Sequence, residues 1–191
     1  MKTTILILFC VTLMLAQTPE FSKDGQIVLP ENYREWVFLS SGLGMTYGPL
    51  GDANSNRPPL FDNVFVNPPA YQAFLKTGTW PEHTMFILEA RSSISKGSIN
   101  NGGHYQNEVV AREAEVKDKA RFGGDGWAFF GFGTGTSGKL FPKTVACYTC
   151  HPTKGAVDNT FVQFYPTLLP VAKAKGTLKP AYVAASAAET H

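Results

Sequence analysis

Short runs of apolar residues, some alternating with polar ones, recur along the chain and are separated by segments rich in Gly, Asn and Pro. Runs of this length and composition predict β-strands. We predict five strands, over residues 36–39, 64–66, 84–91, 104–117 and 127–132. Because only short helical patterns lie between them, the sequence predicts a mainly β (α+β) domain built on an antiparallel five-stranded sheet.

Two segments carry helical signals. Asn67 followed by Pro68 is typical of a helix start, and Gly78 predicts the end of that helix. From residue 158 onward the apolar residues have helical spacing, which predicts a terminal helix kinked or divided by Pro166 and Pro170. The Ala-rich residues 177–191 are predicted to be a disordered tail.

The first sixteen residues are typical of a secretory leader. Lys2 precedes an apolar run over residues 5–15, and the small Ala16 follows it. This run is too short to span a bilayer and predicts a cleaved signal peptide over residues 1–16. Residues 17–176 then form one domain of a periplasmic or secreted protein, with no membrane span after cleavage.

Composition excludes some functions. The 17 basic and 15 acidic residues give a net charge of +2, and no basic cluster marks a nucleic-acid-binding face. The heavy aromatic content suits a β-core and can also line an apolar cofactor pocket. The glycine-rich segment 133–139 is similar to a P-loop, but Leu140 stands where a Ser or Thr should bind magnesium, so we predict a surface loop.

The sequence Cys147-Tyr148-Thr149-Cys150-His151 is a CxxCH motif, the signature of c-type haem attachment. Two thiols three positions apart can each add to a haem vinyl group, and the adjacent imidazole can bind the iron. A zinc site would need further ligands, for which only His83 and His104 are available. A thioredoxin-like dithiol belongs early in a βαβ unit, and a disulfide would leave His151 unexplained.

The order of the parts is unusual for a cytochrome. No Met follows the motif, whereas small electron-transfer cytochromes place CxxCH near the N-terminus and take a downstream Met as sixth ligand. Four-helix-bundle cytochromes carry the motif late, but this chain lacks four long amphipathic helices. Here a β-rich body precedes CxxCH and a single helical region.

With this order of parts, the chain resembles the cytochrome P-460 and cytochrome c′-beta family over nearly all of the mature sequence. The similarity rests on CxxCH and on residues 29–37, 64–68, 113–118, 127–129 and 158–166. The resemblance implies a homodimer of β-rich subunits, each with one covalent haem c and an open distal side. It makes Cys147 and Cys150 the thioether anchors and His151 the axial iron ligand.

The same resemblance addresses the choice between cytochrome and enzyme. Family members that oxidise hydroxylamine link a Lys side chain to the porphyrin, and the matching residue here is Leu88, which cannot form the link. The family's distal proton-carrying carboxylate matches Glu113, which could equally be a solvated strand carboxylate. Phe61 is a candidate aromatic cap over the iron, or plain core. His104 would need its loop to fold inward, so we expect it at the surface.

We therefore predict an exported mono-haem c-type cytochrome that transfers electrons, with a redox partner protein, or binds a small gas such as nitric oxide or carbon monoxide. The alternative is an oxidoreductase acting on hydroxylamine or a related nitrogen compound, with Glu113 as proton carrier. A structural or partner-binding β domain without haem survives only if CxxCH forms a disulfide.

Overall fold

One antiparallel sheet organises the chain in the computed structural model, which describes residues 18–47 and 58–189. Its seven strands are β1 Ile27–Val28, β2 Val37–Leu43, β3 Phe61–Val66, β4 Met85–Ile94, β5 Tyr105–Lys117, β6 Trp127–Gly133 and β7 Ser137–Leu140. Their order across the sheet is β1-β7-β6-β5-β4-β3-β2. The predicted β-rich antiparallel class is confirmed, and the predicted count of five strands is wrong.

The two missed strands are short and lack a strand-like pattern. β1 has two residues, and β7 contains one large apolar residue, Leu140. They pair with each other because Gly138 permits a close approach: a Cβ there would lie 2.7 Å from Ile27 Cγ2. Within the glycine-rich segment, only residues 134–136 form an exposed turn between β6 and β7, whereas residues 137–139 belong to β7, so the predicted surface loop is correct only in part.

The helices are short. They are α1 Pro68–Thr77, α2 Lys119–Phe122, α3 Cys147–Lys154, α4 Leu169–Lys175 and α5 Pro180–Glu189, together with 3-10 turns at Tyr33–Glu35 and Val162–Phe164. α1 ends where predicted, at Gly78, which has the left-handed φ of 74° of a helix cap. No helix among the described residues is long and apolar enough to cross a membrane.

The C-terminal region agrees with the expectation in one respect and differs from it in another. The predicted terminal helix is divided into the 3-10 turn and α4, with Pro166 between them. The segment predicted as a disordered tail contains α5, in which Tyr182 packs against the core beside Leu178. Alanine favours helix, and these contacts stabilise one that the pattern alone did not indicate. The predicted signal peptide, residues 1–16, lies outside the described residues.

The two faces of the sheet carry separate cores. On one face, Phe86 and Trp127 pack with α1 and α4. On the other, Ile87 and Phe130 pack against the N-terminal segment. Because side chains alternate along a strand, β4 and β5 contribute every second residue to each face. The first face also carries the candidate site.

Candidate cofactor site

A cavity of about 370 Å³ lies between α3 and the first face of the sheet. Its sheet lining comes from Asp62, Val64, Phe86, Leu88, Glu113, Glu115 and Phe129. These residues are neighbours across the strands, since Leu88 pairs with both Val64 and Glu113. Glu115 in turn pairs with Phe129, so the register of β3, β4, β5 and β6 brings these residues to one wall.

The opposite wall is the CxxCH motif itself. Cys147, Cys150 and His151 all line the cavity. Residues at positions i, i+3 and i+4 of a helix share one face, and α3 turns this face toward the sheet. Tyr148 helps to hold the helix in place: its hydroxyl donates to Phe141 O at 3.3 Å and accepts from the Phe129 amide at 3.3 Å.

The imidazole of His151 is fixed in orientation. Its Nδ1 lies 2.8 Å from Asn159 O and 3.2 Å from Glu115 Oε1. The ring lies between Phe129 and Phe161, with both ring centroids 4.5 Å away. Since a carbonyl oxygen only accepts, Nδ1 carries the proton and donates it, which leaves Nε2 as the free ligand atom.

The charges around this ring affect its protonation. Burial alone would lower the pKa of His151, but the Glu115 carboxyl and the Asn159 carbonyl outweigh burial and raise the pKa. Burial in turn raises the pKa of Glu115, and the imidazole opposes that increase. The contact between the Glu115 carboxyl and the His151 imidazole therefore favours the charged form of each group.

The loop that carries Asn159 is held on both sides. Lys117 Nζ donates to Asp158 Oδ2 at 3.1 Å, and Asn159 Nδ2 donates to Asp125 Oδ2 at 2.7 Å. Asp158 has a φ of 49°, a left-handed conformation that Asp tolerates better than most residues. These contacts fix the carbonyl that orients His151.

Neither Cys147 nor Cys150 is in a disulfide. Within the described ranges, no group of three or more His, Cys, Asp and Glu side chains is arranged to hold a metal ion. The closed four-ligand shell of a structural zinc site is therefore not formed there.

The lining fits a haem. Two free thiols and one imidazole nitrogen line a cavity whose surface is mainly apolar, from aromatic rings and aliphatic side chains. A haem needs such a mainly apolar pocket together with a ligand for its iron.

Leu88 and Glu113 lie on the cavity wall. Burial raises the pKa of Glu113, and the neighbouring Asp62 adds to the increase. Burial also raises the pKa of Asp62. The cavity thus holds two partly buried carboxyl groups away from His151 Nδ1.

Phe61 and His104 do not line this cavity. β3 turns Asp62 and Val64 toward it, so the alternate residue Phe61 points to the other face. Phe61 is thus not placed as a cap over the cavity. His104 is exposed immediately before β5, at the surface as expected.

Sequence reasoning missed several lining residues. β3 begins at Phe61, three residues before its predicted start, and so Asp62 was not assigned to a strand. Glu115 could have been found from strand alternation, because it lies two residues after Glu113. Met45 and Tyr47 also line the cavity, and the Tyr47 hydroxyl lies 3.8 Å from Met45 Sδ. They follow β2 in a segment without a recognisable pattern.

Comparison with known proteins gave one family match. A family model described as Cytochrome P460 matches residues 30–162, which include most of the sheet and the whole CxxCH motif. A search of curated proteins gave no match.

Proposed function

Because the chain belongs to the cytochrome P460 family of haem-binding cytochromes, we propose that it is an exported mono-haem c-type cytochrome. It transfers electrons or binds a small gas such as nitric oxide or carbon monoxide at an open distal side. The observation that carries this proposal is the convergence of Cys147, Cys150 and the free Nε2 of His151 on one apolar cavity.

The residues of the cavity have different roles in this proposal. Cys147 and Cys150 would hold the haem c through thioethers, and His151 Nε2 would bind its iron. When bound, the haem supplies one-electron transfer and the binding of small ligands. Phe129 and Phe161 keep the imidazole in place.

The sheet wall of the cavity, opposite the CxxCH motif, suits a small neutral ligand. Leu88 and Val64 give it an apolar surface, which offers no hydrogen bond to an ordered water and therefore favours a diatomic gas. The raised pKa of Glu113, caused first by burial, keeps its carboxyl protonated to a higher pH than usual. A protonated carboxyl can donate a hydrogen bond to a bound ligand.

Oxidation of hydroxylamine is the second candidate function. It is favoured by Glu113, because burial raises the pKa of this carboxyl, and a raised pKa makes a carboxyl better suited to proton transfer. Leu88 argues against it, since a hydrocarbon side chain on the cavity wall offers no nucleophile for a link to the porphyrin. The resemblance also implies a homodimer and a redox partner protein, and both stay predictions.

A visible spectrum and an intact mass of the exported protein test the proposal. We expect loss of residues 1–16, a gain of one haem that survives denaturation, and an ordinary c-type Soret band. A strongly red-shifted Soret band would indicate a further link to the porphyrin and favour the enzyme. A chain matured with haem available but without any Soret band would reject both functions.

A further inference from the structure

The Glu115 carboxyl is buried directly behind the imidazole of His151. Glu115 is 9% exposed, and its Oε1 lies 3.2 Å from His151 Nδ1. The proton on Nδ1 lies near two acceptors, Asn159 O at 2.8 Å and Glu115 Oε1 at 3.2 Å, and Oε1 accepts no hydrogen bond from any other described group. A buried carboxyl oxygen without a donor is costly, and the imidazole N–H is the polar hydrogen closest to it.

The sheet register explains why Glu115, and not Glu113, reaches this ring. Glu115 pairs with Phe86 on β4 and with Phe129 on β6, and Phe129 contacts the imidazole. Glu113 is two residues away on the same face, a separation of about 7 Å along a strand. The two carboxyl groups therefore act at different places, and only Glu115 touches the axial ligand.

We propose that Glu115 is a positioning residue that tunes the haem iron through His151 and favours its ferric state. Partners behind a metal-bound imidazole fix its orientation and raise its basicity. A more basic imidazole stabilises the higher charge of ferric iron more than that of ferrous iron. This inference rests on the proposed function, because it requires a haem bound to His151.

Asp125 provides a matched control. It is a nearby acidic residue, and it reaches His151 only indirectly, through its hydrogen bond with the Asn159 side chain. Asp125→Asn removes one charge from the same region and leaves the carboxyl next to the ring. If Glu115 acts through the imidazole, the two substitutions should differ.

The experiment measures the midpoint potential and the ferrous iron–histidine stretching band of the haem-loaded protein and its variants. Glu115→Gln keeps the shape of the side chain and removes its charge. We expect it to shift the ferric–ferrous equilibrium at least tenfold toward ferrous, about 59 mV upward for one electron, and to move the band to lower frequency. Asp125→Asn should give a smaller shift in both the potential and the band, because it acts on the ring only through Asn159. Glu115→Asp, which keeps the charge farther from the ring, should lie between wild type and Glu115→Gln.

An unchanged potential and band in Glu115→Gln would overturn the inference and would mean that Glu115 is neutral or only structural. Equal effects of Asp125→Asn and Glu115→Gln would also overturn it, because the imidazole contact would then have no special role. If Glu115→Gln does not fold, the iron–histidine stretching band of Glu115→Asp is the deciding measurement. A band at the same frequency as in the wild-type protein would contradict the inference. These outcomes are separable from failure of the proposed function, in which the wild-type protein carries no haem.

Discussion

Replacement of both Cys147 and Cys150 by Ser is expected to abolish covalent haem attachment. Both thiols line the cavity and neither is in a disulfide, so they are available for the two thioether bonds. A serine hydroxyl does not form the thioether. After denaturation and acid extraction, the double variant should release all of its haem, measured by intact mass and by haem staining of a denaturing gel.

The single variants Cys147→Ser and Cys150→Ser are the matched controls. Each keeps one thiol and should retain a haem through one bond, although with lower yield. Haem that remains attached to the double variant after denaturation would contradict the assignment of the anchors and would require another residue to carry the bond.

The wild-type protein is expected to oxidise hydroxylamine slowly, and Leu88→Lys is expected to gain both a red-shifted Soret band and turnover. Leu88 lies on the cavity wall opposite CxxCH and pairs with Glu113, so a Lys there would bring an amine to the cavity beside the proposed proton carrier. In the Leu88→Lys background, Glu113→Ala should lower the rate by ~10²–10⁴-fold, the usual effect of removing a general acid or base.

We also expect the rate of hydroxylamine oxidation by Leu88→Lys to depend on pH. If Glu113 accepts a proton, its carboxylate form is active, and the rate should fall as the pH decreases through its raised pKa. Asp62→Asn is the control, because it removes the neighbouring carboxyl and should move this transition to lower pH without abolishing turnover. Rapid hydroxylamine oxidation by the wild-type protein, lost in Glu113→Ala, would contradict the preference for a non-enzymatic cytochrome.

The sequence predicted the central strands of the fold because their apolar patterns are long and their ends are marked by Gly, Pro and Asn. β4, β5 and β6 were found with boundaries accurate to within a few residues. β1 and β7 were missed, since their pairing depends on Gly138 and on backbone contacts rather than on a hydrophobic pattern. α5 was missed because its stability depends on contacts of Tyr182 with a distant core.

The candidate site was predictable to the extent that its chemistry is local in sequence. CxxCH identified three residues that the structure brings to one cavity, and the family resemblance added Leu88 and Glu113. Asp62 and Glu115 depend on strand register, which no local motif specifies. Phe61 was misplaced for the same reason: a shift of one residue along a strand changes the face on which a side chain lies.

The most direct test of the central claim, a haem held by His151 with an open sixth position, is the binding of carbon monoxide to the reduced protein. We predict one carbon monoxide per haem, with a clear change in the Soret band, because no strong protein ligand has to be displaced. A low-spin ferrous spectrum that carbon monoxide does not change would contradict the claim. Met45, whose side chain lines the cavity, would then be the first candidate for the sixth ligand.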